Sequence, residues 1–206
     1  MEVLQLDEMT SNECRSEPEA ASDASTDALC YGATQEKSVL HLGCGTEARE
    51  GCLNVDCVQL AGVDVVCDLN VYPWPFATGA WQHVVAFHVI EHLDDAVAGI
   101  RELHRILAPG GRAEVRVPHM AGWGAWNNPT HRHFFTRRSL EHFRRGHHYN
   151  YAFNFAFSDV RCRSVFSLGY GAFLNGLMNP VVNTWLYDWW LWKLIPCAEV
   201  RAYFVK

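Results

Sequence analysis

At 206 residues the chain fits one domain with a substantial core. Apolar residues make up 49% and charged residues 19%, ordinary proportions for a soluble globular protein. The net charge of −6 is confined to residues 1–30, where eight acids face Arg15 alone; the remainder is near +1, which argues against extended nucleic acid as a partner.

Thr10 to Thr26 is rich in Ser, Glu, Ala and Asp and has no apolar periodicity. Residues 1–30 are therefore expected to form a disordered acidic tail, with residues 31–206 as the folded domain. No basic region followed by an apolar run opens the chain, so no signal peptide is expected. The eight Cys form no CxxC pair and most lie in apolar runs, the pattern of reduced, buried thiols. A cytoplasmic protein is the expectation.

The first apolar run, Ser38 to Leu42, ends in Gly43-Cys44-Gly45. A strand entering a Gly-rich turn lets backbone approach a nucleotide-like ligand closely, although a tight turn without a ligand has the same pattern. Cys52 to Asp56 reads as a second strand ending in an acid, and Val63 to Leu69 as a third containing Asp68. An acid just past the second strand can accept hydrogen bonds from ribose hydroxyls, whereas either Asp taken alone is by default a solvated loop residue. Only seven residues separate Gly45 from Leu53, too few for a full crossover helix. His83 to Phe87 reads as a buried strand, followed at once by the polar cluster His88, Glu91 and His92. The period of Val97, Ile100, Leu103, Ile106 and Leu107 predicts a helix from about Asp94 to Leu107, stopped by Pro109-Gly110-Gly111. Ala113 to Pro118 is the next strand.

The series Val39-Leu40-His41-Leu42-Gly43-Cys44-Gly45, Asp56, Asp68, Val89-Ile90-Glu91-His92 and Leu103 to Gly111 resembles the class I S-adenosylmethionine-dependent methyltransferases over residues 36–145. The resemblance implies an α/β, Rossmann-like three-layer sandwich whose mostly parallel seven-stranded sheet has an antiparallel last strand. It implies S-adenosyl-L-methionine as cofactor, its methionine part over Gly43, Cys44 and Gly45, its ribose on Asp56 and its adenine by Asp68 and Leu69. His41 and His88 complete the expected cofactor contacts, His41 standing where many relatives carry an acid.

His88, Glu91 and His92 have i, i+3, i+4 spacing and share one face of a helical turn, within reach of one ion. Ubiquinone-pathway O-methyltransferases and small-RNA 3′-terminal 2′-O-methyltransferases show a similar acid-x-x-Glu-His element that holds a divalent metal. The RNA enzymes add a later His, which His131 resembles. His88, Glu91, His92 and His131 are thus candidate metal ligands, a set that favours Zn, Fe, Co or Ni over Mg. Without metal, Glu91 and His92 cap a helix or line the pocket, and His92 or His131 is the candidate general base.

Residues 119–135 form a Gly/Trp loop that reads as a lid, and Thr136 is expected to cap a short helix with Leu140 and Phe143. The arginines between 132 and 145 read either as a phosphate or carboxylate contact or as a solvated helix face. Phe155 to Val165 and Val200 to Val205 are the last strands. Between them, residues 181–195 are a Trp-rich helix too short and too interrupted by charge to span a membrane. A core cover, a dimer or partner surface, and an interfacial membrane helix compete for it. The function expected is methyl transfer to an O or N nucleophile of a small or medium-sized substrate. The alternative is a catalytically idle partner protein that binds another subunit through the Trp stripe.

Overall fold

The computed structural model describes residues 30–166 and 171–206. The expected acidic tail lies, but for Cys30, outside the described residues.

Seven strands form one sheet: β1 (Val39–Leu42), β2 (Cys52–Asp56), β3 (Val65–Val66), β4 (Trp81–Phe87), β5 (Leu107–Pro118), β6 (Asp159–Val165) and β7 (Glu199–Val205). Their order is β3-β2-β1-β4-β5-β7-β6. Every pair from β3 to β5 is parallel, and β7 runs antiparallel to both β5 and β6. This is the mixed, mostly parallel sheet with an antiparallel last strand that the resemblance implies.

Helix α1 (Ala96–Ile106) is amphipathic, and Asp95 caps it by accepting from Ala98 N–H at 2.9 Å. Its Ile100, Leu103 and Ile106 pack against Leu40, Val84, Ala86 and Val115 of the sheet in one continuous core. Helix α2 (Arg137–Glu141) begins at a Thr136–Ser139 capping box and adds Leu140 to the same core. One expectation is corrected here. Pro109-Gly110-Gly111 does not stop α1, which ends at Ile106 with Leu107 already extended and paired in β5. The two glycines instead serve an irregularity where the register jumps from Trp81–Leu107 to His83–Arg112. A Cβ on Gly111 would lie 2.8 Å from the carbonyl oxygens of Ala108 and Trp81, so backbone approach, not helix termination, requires glycine there.

The helical layers are uneven. Among the described residues, the crossovers β1–β2, β2–β3 and β3–β4 carry no helix, in keeping with the shortness of the Gly45–Leu53 interval. The Trp-rich region is divided into α3 (Gly171–Val182), α4 (Trp185–Trp189) and a single turn at Leu191–Lys193. The break falls at Asn183, whose side chain bonds Ser164 and Asn179 while Thr184 caps α4. No described helix is long and apolar enough to cross a membrane.

Candidate active site

The carboxyl ends of β1 and β4 lie side by side where the strand order reverses, the position at which open α/β sheets bind ligands. Gly43 (φ +59°) and Gly45 (φ +51°) turn the chain out of β1 in left-handed conformations that glycine adopts without strain. A Cβ on Gly43 would come 2.2 Å from Val89 Cγ2, whereas one on Gly45 would meet nothing within 4 Å. The turn is thus packed against β4's exit on one side and open on the other. Asp56, at the end of β2, accepts from Gly45 N–H (2.7 Å) and Val58 N–H (3.1 Å). The Cys57 thiol also approaches Oδ1 (3.6 Å), so the free acceptor capacity is mainly on Oδ2. Asp68 is exposed and accepts from Asn70 N–H, while Leu69 beside it is buried.

His41 is differently placed. Its ring is 2% exposed, 3.3 Å from Asn54 Oδ1 and edge-on to Phe87. Burial, helped by Arg49, lowers its pKa, so it packs as a neutral imidazole beneath the turn. Cys44 is likewise buried, and burial raises its thiol pKa. It offers the site backbone alone.

Beyond β4, His88 adopts φ +56°, a left-handed conformation uncommon for a residue with a Cβ. Its Nδ1 lies 3.3 Å from Glu91 and its Nε2 3.2 Å from Glu199 at the start of β7. The carboxylates of Glu199 and then Glu91 raise its pKa to about 9, so the ring is an imidazolium clasped by two carboxylates. Glu91 is fully buried, and no hydrogen bond reaches either carboxylate oxygen; the imidazolium is its counter-charge. One turn (Ile90–His92) then places His92 beside His131, ring centroids 4.7 Å apart. His131 Nδ1 lies 3.1 Å from the Ala125 carbonyl, a donor position that leaves Nε2 as an acceptor. Ligand atoms of Glu91, His92 and His131 fall within 4.8 Å of one another. His88, the fourth expected ligand, does not join them because both its nitrogens are engaged.

The 119–135 segment arches over this cluster as a loop with one turn, Trp123–Ala125. His119 N–H bonds Ala198 at one end, and Arg132 N–H bonds the Glu91 carbonyl at the other. Burial lowers the pKa of His119 to about 4, so it is neutral and accepts from Ala121 N–H. Beneath the loop is a hollow of about 640 Å³, lined by His88, His92 and His131, by Asn127 and Asn128 of the loop, by Asn175 and Asn179 of α3, and by Glu199 and Arg201. Sequence reasoning missed Glu199, Arg201 and the asparagines. Only the antiparallel register of β7 (Pro118↔Glu199) brings Glu199 to His88. Of the arginine run, Arg137 and Arg138 pair with Asp188 and Arg132 with Asp94, so much of it is spent within the chain.

A glycine turn and two acids near strand ends at the carboxyl edge of this sheet are the arrangement that the resemblance to class I S-adenosylmethionine-dependent methyltransferases implies. Residues 15–151, more than half of the chain, match a family model described as a methyltransferase domain, and the chain belongs to that family. A structure described as a SAM-dependent methyltransferase from Archaeoglobus fulgidus is 15% identical, with a TM-score of 0.58 and coverage of 82% of this chain and 86% of that one. A possible histamine N-methyltransferase from Thermotoga maritima is 16% identical (TM-score 0.52, 84% of each chain). Phosphoethanolamine N-methyltransferase 2 of Haemonchus contortus, solved with S-adenosyl-L-methionine, is 14% identical (TM-score 0.52); the match covers 85% of this chain and 49% of that one. At such identities the likeness speaks for the fold. No curated protein matches the chain in sequence.

Proposed function

We propose that the chain transfers a methyl group from S-adenosyl-L-methionine to an O or N nucleophile of a small or medium-sized polar substrate. The observation that carries this is the junction of the open glycine turn with the polar hollow through His88 and Val89. The residues fit the donor: Gly43, Cys44 and Gly45 offer close backbone, Asp56 keeps acceptor capacity for a ribose, and Asp68 with Leu69 would border the adenine end. When bound, the donor supplies a sulfonium methyl open to in-line attack.

The chain's own task is to orient the nucleophile and remove one proton. His131 Nε2 is the candidate base, with His92 beside it; buried Glu91 stabilises the positive charge that a protonated imidazole would carry. His88 is already protonated at neutral pH and serves as a fixed positive charge. Four asparagines and Arg201 suit a substrate rich in hydrogen-bonding groups, including one bearing a carboxylate or phosphate.

Calorimetry with S-adenosylhomocysteine tests the reading, and folded protein that binds none of it overturns it. A second reading is favoured by the Glu91 oxygens, which accept no hydrogen bond: one divalent ion held by Glu91, His92 and His131, where it would orient a substrate oxygen. Metal analysis of protein purified without a histidine tag decides between the two. The exposed Trp185, Trp189 and Trp190 support a contact surface for a second copy or another protein, the role on which the idle-partner alternative depends.

A further inference from the structure

The sheet has a second face that the described helices leave largely open, α3 bordering it only near Arg163 and Arg201. From Arg112 on, β5, β6 and β7 alternate: Ala113, Val115, Val160, Ala202 and Phe204 point into the core, while mostly charged residues, with Tyr203 and Val205, point the other way. A mostly parallel sheet buried on both faces carries near-continuous apolar runs instead. This face holds a hollow of about 530 Å³ floored by strand residues alone. Its charges do not balance. Arg116, Arg161 and Arg201 each pair with an acid two residues away on the same strand. Arg112 and Arg163 are exposed and have no acidic partner among the described residues.

We infer that residues 1–29 of this chain dock on the open face and supply its missing layer. They carry eight acids against one arginine, opposite in sign to the surplus on the face. The family match begins at Arg15, so half of the segment belongs to the methyltransferase domain rather than to an appendage. Reach is ample: 29 residues extend to ~95 Å, and seven strands span ~30 Å. A second copy laid face to face would set arginine against arginine. Tethering gives the segment an effective concentration that a free partner lacks. The docked segment would lie behind Arg49 and His41, which back the glycine turn.

Arg15 is the only tryptic site before Cys30, which makes docking measurable. Release of the peptide ending at Arg15 is timed by mass spectrometry in the full chain at low salt, relative to cleavage at the exposed Arg144 and Arg145. Docking predicts release at least about fivefold faster in R112E/R163E, and in wild type at 1 M salt, where the screening length falls to ~3 Å. Equal rates in all three overturn the inference. So does slow release that depends on protein concentration, the sign of a second copy. Phenylglyoxal modification of the wild-type chain checks the same point without a variant. Arg112 and Arg163 should react several-fold more slowly than Arg144 at low salt, and equal reactivity overturns the proposal.

Discussion

Glu199→Gln removes one of the two carboxylates that clasp His88 at 3.2–3.3 Å. The His88 pKa lies at about 9 against an ordinary 6.5. Fully shielded, that difference would be worth ~3 kcal/mol. The imidazole is half exposed, so solvent screening reduces the figure to about 1 kcal/mol, with Glu199 contributing the larger part. Below pH 6.5 the ring is protonated in folded and unfolded chains alike, and the contribution is complete. Between 6.5 and about 9 only the folded chain keeps the proton, so stability drains as pH rises and is gone above about 9. The wild-type Tm should therefore hold near pH 6 and fall by roughly 2–4 °C toward pH 9.5 on this account, while E199Q should start lower and lose less. An NMR titration of the His88 ring reads the cause directly: a pKa well above 7 in wild type that drops by a unit or more in E199Q. A wild-type His88 titrating at or below 7 would refute the clasp and the fixed charge built on it.

Three further outcomes follow from the same geometry. Asp56→Ala should weaken S-adenosylhomocysteine binding at least about tenfold by calorimetry, because both the ribose acceptors and the brace on Gly45 N–H are lost. His131→Ala should lower kcat by ~10²–10⁴ with little change in cofactor affinity if Nε2 takes the substrate proton; an unchanged kcat removes His131 from the reaction. Gly43→Ala combines positive φ with a 2.2 Å contact to Val89 and should cost ~1–3 kcal/mol in denaturant unfolding, whereas Gly45→Ala, with open space, should cost less.

The parallel half of the fold could be read from local sequence because its signals are local. Cys52–Asp56 emerges with the expected bounds, Asp95 caps α1, and Thr136 caps α2, each set by residues within four positions. Pro109-Gly110-Gly111 misled because glycine serves equally at a helix end and at a close backbone approach, and only the Trp81 partner strand distinguishes the two. The continuous helix expected over 181–195 is broken by hydrogen bonds from Asn183 to Ser164, which a periodicity count does not register. Within the site, His88, Glu91, His92 and His131 do converge, but the division among them depends on Glu199. That residue lies more than 100 positions from His88, and its placement is fixed by antiparallel pairing alone.

Val89 stands between His88 and Glu91 in the chain and presses its Cγ2 into the hollow of Gly43. On the proposed reading, the turn that would receive the donor and the segment that would receive the acceptor meet at this isopropyl group. On that reading, the bulk of this side chain would help to set the spacing between the two. Trimming it to alanine or enlarging it to isoleucine is thus a way to tune the transfer distance without touching a polar atom of the site.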